Sequence, residues 1–192
     1  MSEFGKKYEW LKRKNKNNYG FDYYDDFDIM DQLPKGWVDS FGHIFLEELD
    51  KEIKKSEIED EYIVLWARES FYGFQWCDIP SNEEIGNIVK KHSMLSQYIC
   101  KECGKPNVSA LGINNGNPIC KDCYEKHIEY TLPYKEVTLY KEVTMPTVMK
   151  YRRWSKEYNP IGWKDFEVDI SETVEKIHRH WKERQEEKND VK

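Results

Sequence analysis

Long apolar runs are missing from this 192-residue chain. None approaches the roughly 18 apolar residues that a membrane-spanning helix needs, so no membrane class and no membrane partner is expected. The opening MSEFGKKYEW lacks the apolar stretch of a secretory leader, which sets the expectation of a cytoplasmic protein. Also missing are the Gly-rich phosphate loops GxxxxGK and GxGxxG, the HExxH metalloprotease helix and the GxSxG nucleophile elbow. Cysteine is scarce: there are five, an odd number, and four of them form two CxxC pairs. That usage suits a metal in a reducing compartment better than a disulfide framework. A surplus of positive charge is lacking as well, since 30 Lys and Arg stand against 36 Asp and Glu for a net charge of −6. With a pI near 5.5, the chain is no generic binder of nucleic acid or anionic membranes, though a local basic patch stays open.

What is present points to a packed fold. Charged residues make up 34% of the chain, a share that favours disorder when aromatics are few. Here seven Trp, thirteen Tyr and eight Phe provide an aromatic core instead. A chain of this length buries roughly 70% of the surface its unfolded form exposes, enough for one domain without disulfides.

Along the chain, residues 1–33 read as a charged, flexible arm. Lys6, Lys7, Lys12, Arg13, Lys14 and Lys16 give way to FDYYDDFDIMD, in which Asp22, Asp25, Asp26 and Asp28 alternate with aromatics. Two readings stand: a solvated arm whose halves attract, or an acidic-aromatic docking segment for a partner. Residues 34–188 read as one α+β domain and 189–192 as a tail. Trp37, Phe41, Ile44, Phe45, Leu49 and Ile53 recur at helical spacing and predict a helix over 36–55. YIVLWA (62–67) and FYGFQWCDI (71–79) predict a strand pair with a bulge at Gly73. Ser81 with Glu84 three residues on predicts a capped helix over 82–97. The near-duplicate YKEVTL/YKEVTM over 134–145 has an even period and predicts one long strand or a hairpin, with Pro146 against a central position. Ser171, Val174, Ile177 and Trp181 mark a C-terminal amphipathic helix.

The strongest motif is Cys100-x2-Cys103 and Cys120-x2-Cys123, with sixteen residues between the pairs. This spacing is that of a four-thiolate Zn2+ site, each pair supplying two corners of a tetrahedron. Gly104 behind Cys103 suits a zinc knuckle, where a positive φ turns backbone N–H groups toward sulfur. Asn114-Asn115-Gly116-Asn117-Pro118 predicts a hairpin turn. CKDCYEKHIEY, free of Gly and Pro, predicts a helix whose positive end faces the thiolates. Knuckle, hairpin and helix make a treble clef over 98–130, and a zinc ribbon, with a second knuckle for the helix, is the alternative. Four protein thiolates leave the ion no open position, so the metal is expected to be structural and the protein not an enzyme.

The order Pro34-x-Gly36-Trp37, Arg68-Glu69-Ser70-Phe71-Tyr72-Gly73-Phe74-Gln75-Trp76, Ser96 and the quartet with Gly104 and Pro106 resembles a family of small uncharacterised phage and prophage proteins. The resemblance spans about residues 34–125 and departs from the family's pattern at Ser70 and Gln75, where Lys and Arg are common. It implies a phage-encoded protein acting in the cytoplasm of a bacterial host cell, and it implies no activity.

Among the remaining candidates, Cys77 reads as a buried structural thiol, and His178 with His180 as a solvated pair. Lys150, Arg152, Arg153 and Trp154 form the best nucleic-acid candidate, Arg and Lys for phosphates and the aromatic for stacking. Trp66, Phe74 and Trp76 could line an aromatic pocket for a small ligand such as a nucleotide. The leading expectation is a zinc-stabilised binding protein that engages a host protein and inhibits a bacterial defence system. A nucleic-acid-binding module and a small-ligand binder are the alternatives.

Overall fold

In the computed structural model, the described residues are 3–12, 29–70, 73–108, 118–128, 143–155 and 162–190. The helix expected over 36–55 is present in three pieces: α2 (Lys35–Trp37), a π-helical turn (Val38–Gly42) and α3 (His43–Lys55). Phe45, Leu46, Leu49 and Ile53 form its buried stripe. Its outer face carries Lys54 bonded to Asp50 and Lys55 to Glu52, and the two lysines also complement the negative helix end. Such exposed pairs add little stability, so the buried stripe fixes the helix.

Strands β1 (Ile63–Ser70) and β2 (Gly73–Ile79) pair antiparallel, from Ile63 opposite Ile79 to Ser70 opposite Gly73. The register shifts between Val64 and Trp66, so the irregularity lies there and not at Gly73. Gly73 serves close approach instead. A Cβ on it would stand 3.2 Å from the Ser93 carbonyl oxygen, and the next residue, Phe74, donates its N–H to Ser96 Oγ at 2.8 Å. Helix α4 (Glu83–Leu95) is capped one residue later than expected: Asn82 Oδ1 accepts from the Ile85 N–H at 2.8 Å. A 3₁₀ turn (Ser96–Tyr98) leads to the cysteines.

A second ribbon pairs β3 (Val148–Ser155) with β4 (Gly162–Asp169), and α6 (Ser171–Asp190) follows as one 20-residue helix. Among the described residues the architecture is thus α+β, with two small antiparallel sheets among helices. Among the described residues, no helix is long and apolar enough to cross a membrane. The repeat at 134–145 falls largely outside the described residues. Its end is tied down, since Val143 N–H donates to the Asn107 carbonyl at 3.2 Å and Met145 N–H to Asn107 Oδ1 at 3.1 Å.

The core is aromatic. Phe45 sits at its centre, with Phe74, Trp76 and His92 rings at 4.9, 4.9 and 5.2 Å. The first residues belong to this core, unlike a free arm: Phe4 and Tyr8, from and just beyond α1 (Glu3–Lys7), are buried, and Trp10 is 0% exposed. Trp10 stacks edge-on to Tyr62 at 5.3 Å and donates Nε1–H to Asp50 Oδ1 at 3.0 Å. Apolar positions here outweigh the lysines between them, because a buried indole removes far more surface from water than a solvated Lys costs.

Candidate metal centre

The chain turns at the first CxxC pair through one β-bridge and two backbone hydrogen bonds. Ile99 bridges Pro106, Cys100 N–H donates to the Lys105 carbonyl at 2.9 Å, and Gly104 N–H to the Cys100 carbonyl at 2.8 Å. Closing so tight a turn needs the left-handed region, and Gly104 has φ of 81°. The second pair enters from Pro118, whose carbonyl accepts from Lys101 N–H at 2.9 Å. Cys120 then precedes α5 (Lys121–Ile128), and Cys123 lies in its first turn. The helix expected at the second pair is therefore present, while the 114–118 turn lies outside the described residues but for Pro118.

All four sulfurs lie within 4.8 Å of one another. A tetrahedral ion with Zn–S bonds of about 2.3 Å sets sulfurs about 3.8 Å apart. Cys103 Sγ and Cys120 Sγ stand at 3.6 Å, too far for a disulfide and right for two ligands of one ion. Cys100 and Cys120 are buried, Cys103 and Cys123 half-buried. The Cys120 N–H points at sulfur, at 3.3 Å from Cys100 Sγ. The thiols are in conflict over protons. Hydrogen bonds from Cys103 and Cys120 push the Cys100 thiol down. The same crowding holds the Cys103 proton on, and burial followed by the Cys100 charge pushes Cys123 up to about 12. A dication would resolve this by replacing protons at every sulfur. The donor set fits a soft, tetrahedral metal ion, with Cys100, Cys103, Cys120 and Cys123 as ligands.

The centre is clamped to the domain by a segment distant in sequence. Gly36 N–H donates to the Lys101 carbonyl at 2.8 Å, and Trp37 Nε1–H to the Ile99 carbonyl at 2.9 Å. A Cβ on Gly36 would stand 2.4 Å from the Cys100 carbonyl oxygen, and one on Gly104 2.7 Å from the Gly36 oxygen. Pro34-x-Gly36-Trp37 and the CxxCG knuckle, two separate motifs in the sequence, are thus one contact in space.

The other candidates fall as follows. Asp22, Asp25, Asp26 and Asp28 lie outside the described residues. Lys150, Arg152, Arg153 and Trp154 are all on β3. Lys150 stands opposite Glu167, bonded at 2.9 Å, and Arg152 opposite Asp165. Trp66, Phe74 and Trp76 come together along an open cleft of about 320 Å3, with Asp78, Ser81 and Lys90 also lining it. The Arg68 guanidinium lies over the Trp66 ring at 4.5 Å. Cys77 is half-buried rather than buried; burial, then the charge of Asp78, pushes its thiol up, away from a reactive thiolate. His180 is not merely solvated, since Nε2 donates to the Asp39 carbonyl at 2.9 Å.

One cluster escaped the sequence. Glu48 Oε2 meets His92 Nε2 at 2.8 Å and Lys91 Nζ at 2.6 Å, while Thr173 Oγ1 donates to Glu48 Oε1 at 3.2 Å and accepts from Lys91. Burial opposes charge on Glu48, but the bonds and charges of His92 and Lys91 win and hold its carboxyl down to about 2. Burial pushes the His92 imidazole down against the pull of Glu48. Its ring is fully enclosed, stacked on Phe41 at 5.5 Å, so the cluster ties α3, α4 and α6 together and offers no reactive face. Only a polar residue inside a helix stripe, His92 beside Leu95, could have flagged it. Compared with known proteins, the chain matches no family model, no curated protein and no solved structure.

Proposed function

We propose that the quartet holds one structural zinc ion in a treble clef, and that the chain is a non-enzymatic binding protein stiffened by it. The observation that carries this is the convergence of four protein thiols within 4.8 Å. Such a cage satisfies a tetrahedral ion completely and leaves no position for water or substrate. A knuckle at the first pair and α5 at the second support the treble clef over the ribbon, which would need a second knuckle where α5 begins. Three lysines near the site are matched: Lys101 with Glu69 at 3.1 Å, Lys105 with Asp122 at 3.9 Å and Lys121 with Glu125 at 3.7 Å. That balance, with the net charge of −6, supports a protein partner over nucleic acid. Its resemblance to phage proteins makes the partner a bacterial host protein, and a component of a defence system the first to try.

Elemental analysis of the full chain purified without added metal is expected to give one zinc per chain. Binding to defence proteins of the host, each measured directly, is expected to weaken when Asp22, Asp25, Asp26 and Asp28 are changed to Lys. No zinc, or a water bound to the metal, overturns the structural reading. Affinity unmoved by the charge reversal removes the acidic segment as the contact.

A second reading rests on the cleft that brings Trp66, Phe74 and Trp76 together beside Asp78 and Lys90. Aromatic walls with one carboxyl and one amine suit a planar, charged ligand such as a nucleotide. Native mass spectrometry showing a retained nucleotide, lost in Trp66→Ala, is its expected result; no retained or added nucleotide sinks it.

A further inference from the structure

Three buried polar side-chain atoms of the π turn and the second half of α6 have no hydrogen-bond partner among the described residues: Ser40 Oγ, Arg184 Nη1 and Gln185 Nε2. Ser40, itself 2% exposed, belongs to the π turn, and the other two to the second half of α6. Ser40 Cβ and Arg184 Nη1 each stand 3.2 Å from where a Cβ on Gly104 would lie. Gly104 is the residue after the ligand Cys103. So a cationic side chain from the far end of the chain closes over the back of the metal knuckle.

The same helix grips the π turn. Arg184 Nη2 donates to Asp39 Oδ2 at 2.8 Å, and one turn earlier His180 Nε2 donates to the Asp39 carbonyl. A π turn leaves carbonyls off the usual ladder, and His180 satisfies one. The first half of α6 is held independently, by Thr173, Val174 and Ile177 buried in the main core. Beyond Trp181, Lys182, Glu183 and residues 186–190 are exposed, leaving Arg184 and Gln185 as the inward contacts.

A dication within four thiolates keeps a net negative charge, and interior charges interact strongly. We propose that Arg184 is an outer positioning residue of the metal centre, and that the ion latches the second half of α6 onto the π turn. This rests on the zinc reading. Loading favours docking, and by linkage docking favours loading to the same extent.

The test uses the full chain, with zinc affinity measured by competition against a chelating dye and docking by amide hydrogen exchange. Arg184→Met is expected to weaken zinc binding by about tenfold or more, and Arg184→Lys, which keeps the charge, by less. Chelating zinc from the wild type is expected to speed exchange in 181–190 while 171–177 stays protected. Wild-type affinity in Arg184→Met, or equal loss in both variants, overturns the proposal. So does exchange in 181–190 that ignores chelation, or that rises together with 171–177, because the ion then latches nothing or holds everything. A wild type that binds no zinc fails the metal reading itself and is told apart by stoichiometry alone.

Discussion

Two centres of this molecule are built on different physics. The main core gathers Phe45, Phe74, Trp76, Trp10 and Tyr62 from α3, the β1–β2 hairpin and the N-terminal turns. Its stability is spread over many contacts, each replaceable in part. The smaller centre gathers Cys100, Cys103, Cys120 and Cys123 around Val108 and Ile119. That is little apolar surface to order two chain segments, and on the proposed zinc reading a single ion carries what many contacts carry elsewhere. The main core should lose stability by degrees and the small one all at once.

The largest effect expected is at the thiols. Cys120→Ser removes a ligand from a site in which roughly 10 kcal/mol of metal binding is at stake. Bound zinc and protection of residues 98–108 and 118–128 should vanish, while Trp10 and Phe45 stay buried. Equal loss in both regions, seen by hydrogen exchange, would break the division. Next is Phe45→Ala, expected to cost about 3–5 kcal/mol in urea unfolding while the folded protein still binds one zinc. Loss of zinc from the folded variant would show that the main core builds the metal site.

Gly36→Ala probes the seam between the centres. The new methyl would collide with the Cys100 and Lys101 carbonyl oxygens, at 2.4 and 2.5 Å. Overpacking of about 1–3 kcal/mol is expected, together with weaker zinc binding, read by chelator competition. Unchanged affinity would mean the knuckle is rigid by itself.

The smallest effect concerns acid. His92 in the fold lies below its ordinary 6.5 and Glu48 near 2 against 4.5. Both groups therefore bind more protons when unfolded. Their stabilisation is complete above pH 6.5, falls as His92 is protonated on unfolding, and falls again from pH 4.5 toward 2. His92→Phe should show a shallower decline between pH 6.5 and 4.5 than the wild type. Both are measured by urea midpoints after chelation, so that metal release drops out. Parallel curves would remove His92 as the cause.

Local signals were legible in the sequence. The CxxC spacing, the stripe from Trp37 to Ile53 and the Ser171–Trp181 pattern each reflect one element's own geometry, and each stands in the fold. The N-terminal segment misled because its lysines are adjacent and numerous, whereas Phe4, Tyr8 and Trp10 matter only once Asp50 and Tyr62 are beside them. The Glu48, His92 and Thr173 cluster spans 125 residues of chain, and no periodicity encodes such a meeting. The π turn was hidden for the same reason: Val38–Gly42 reads as ordinary helix until α6 arrives to satisfy Asp39.

Gly36 and Gly104 touch backbone to backbone, so a side chain at either would be refused by the other. Drift at exposed positions such as Lys35 and Glu47 meets no such veto. Distant kin whose overall likeness has eroded would still carry both glycines, one before a tryptophan and one behind a cysteine. That coincidence is a fingerprint to search for where alignment no longer reaches.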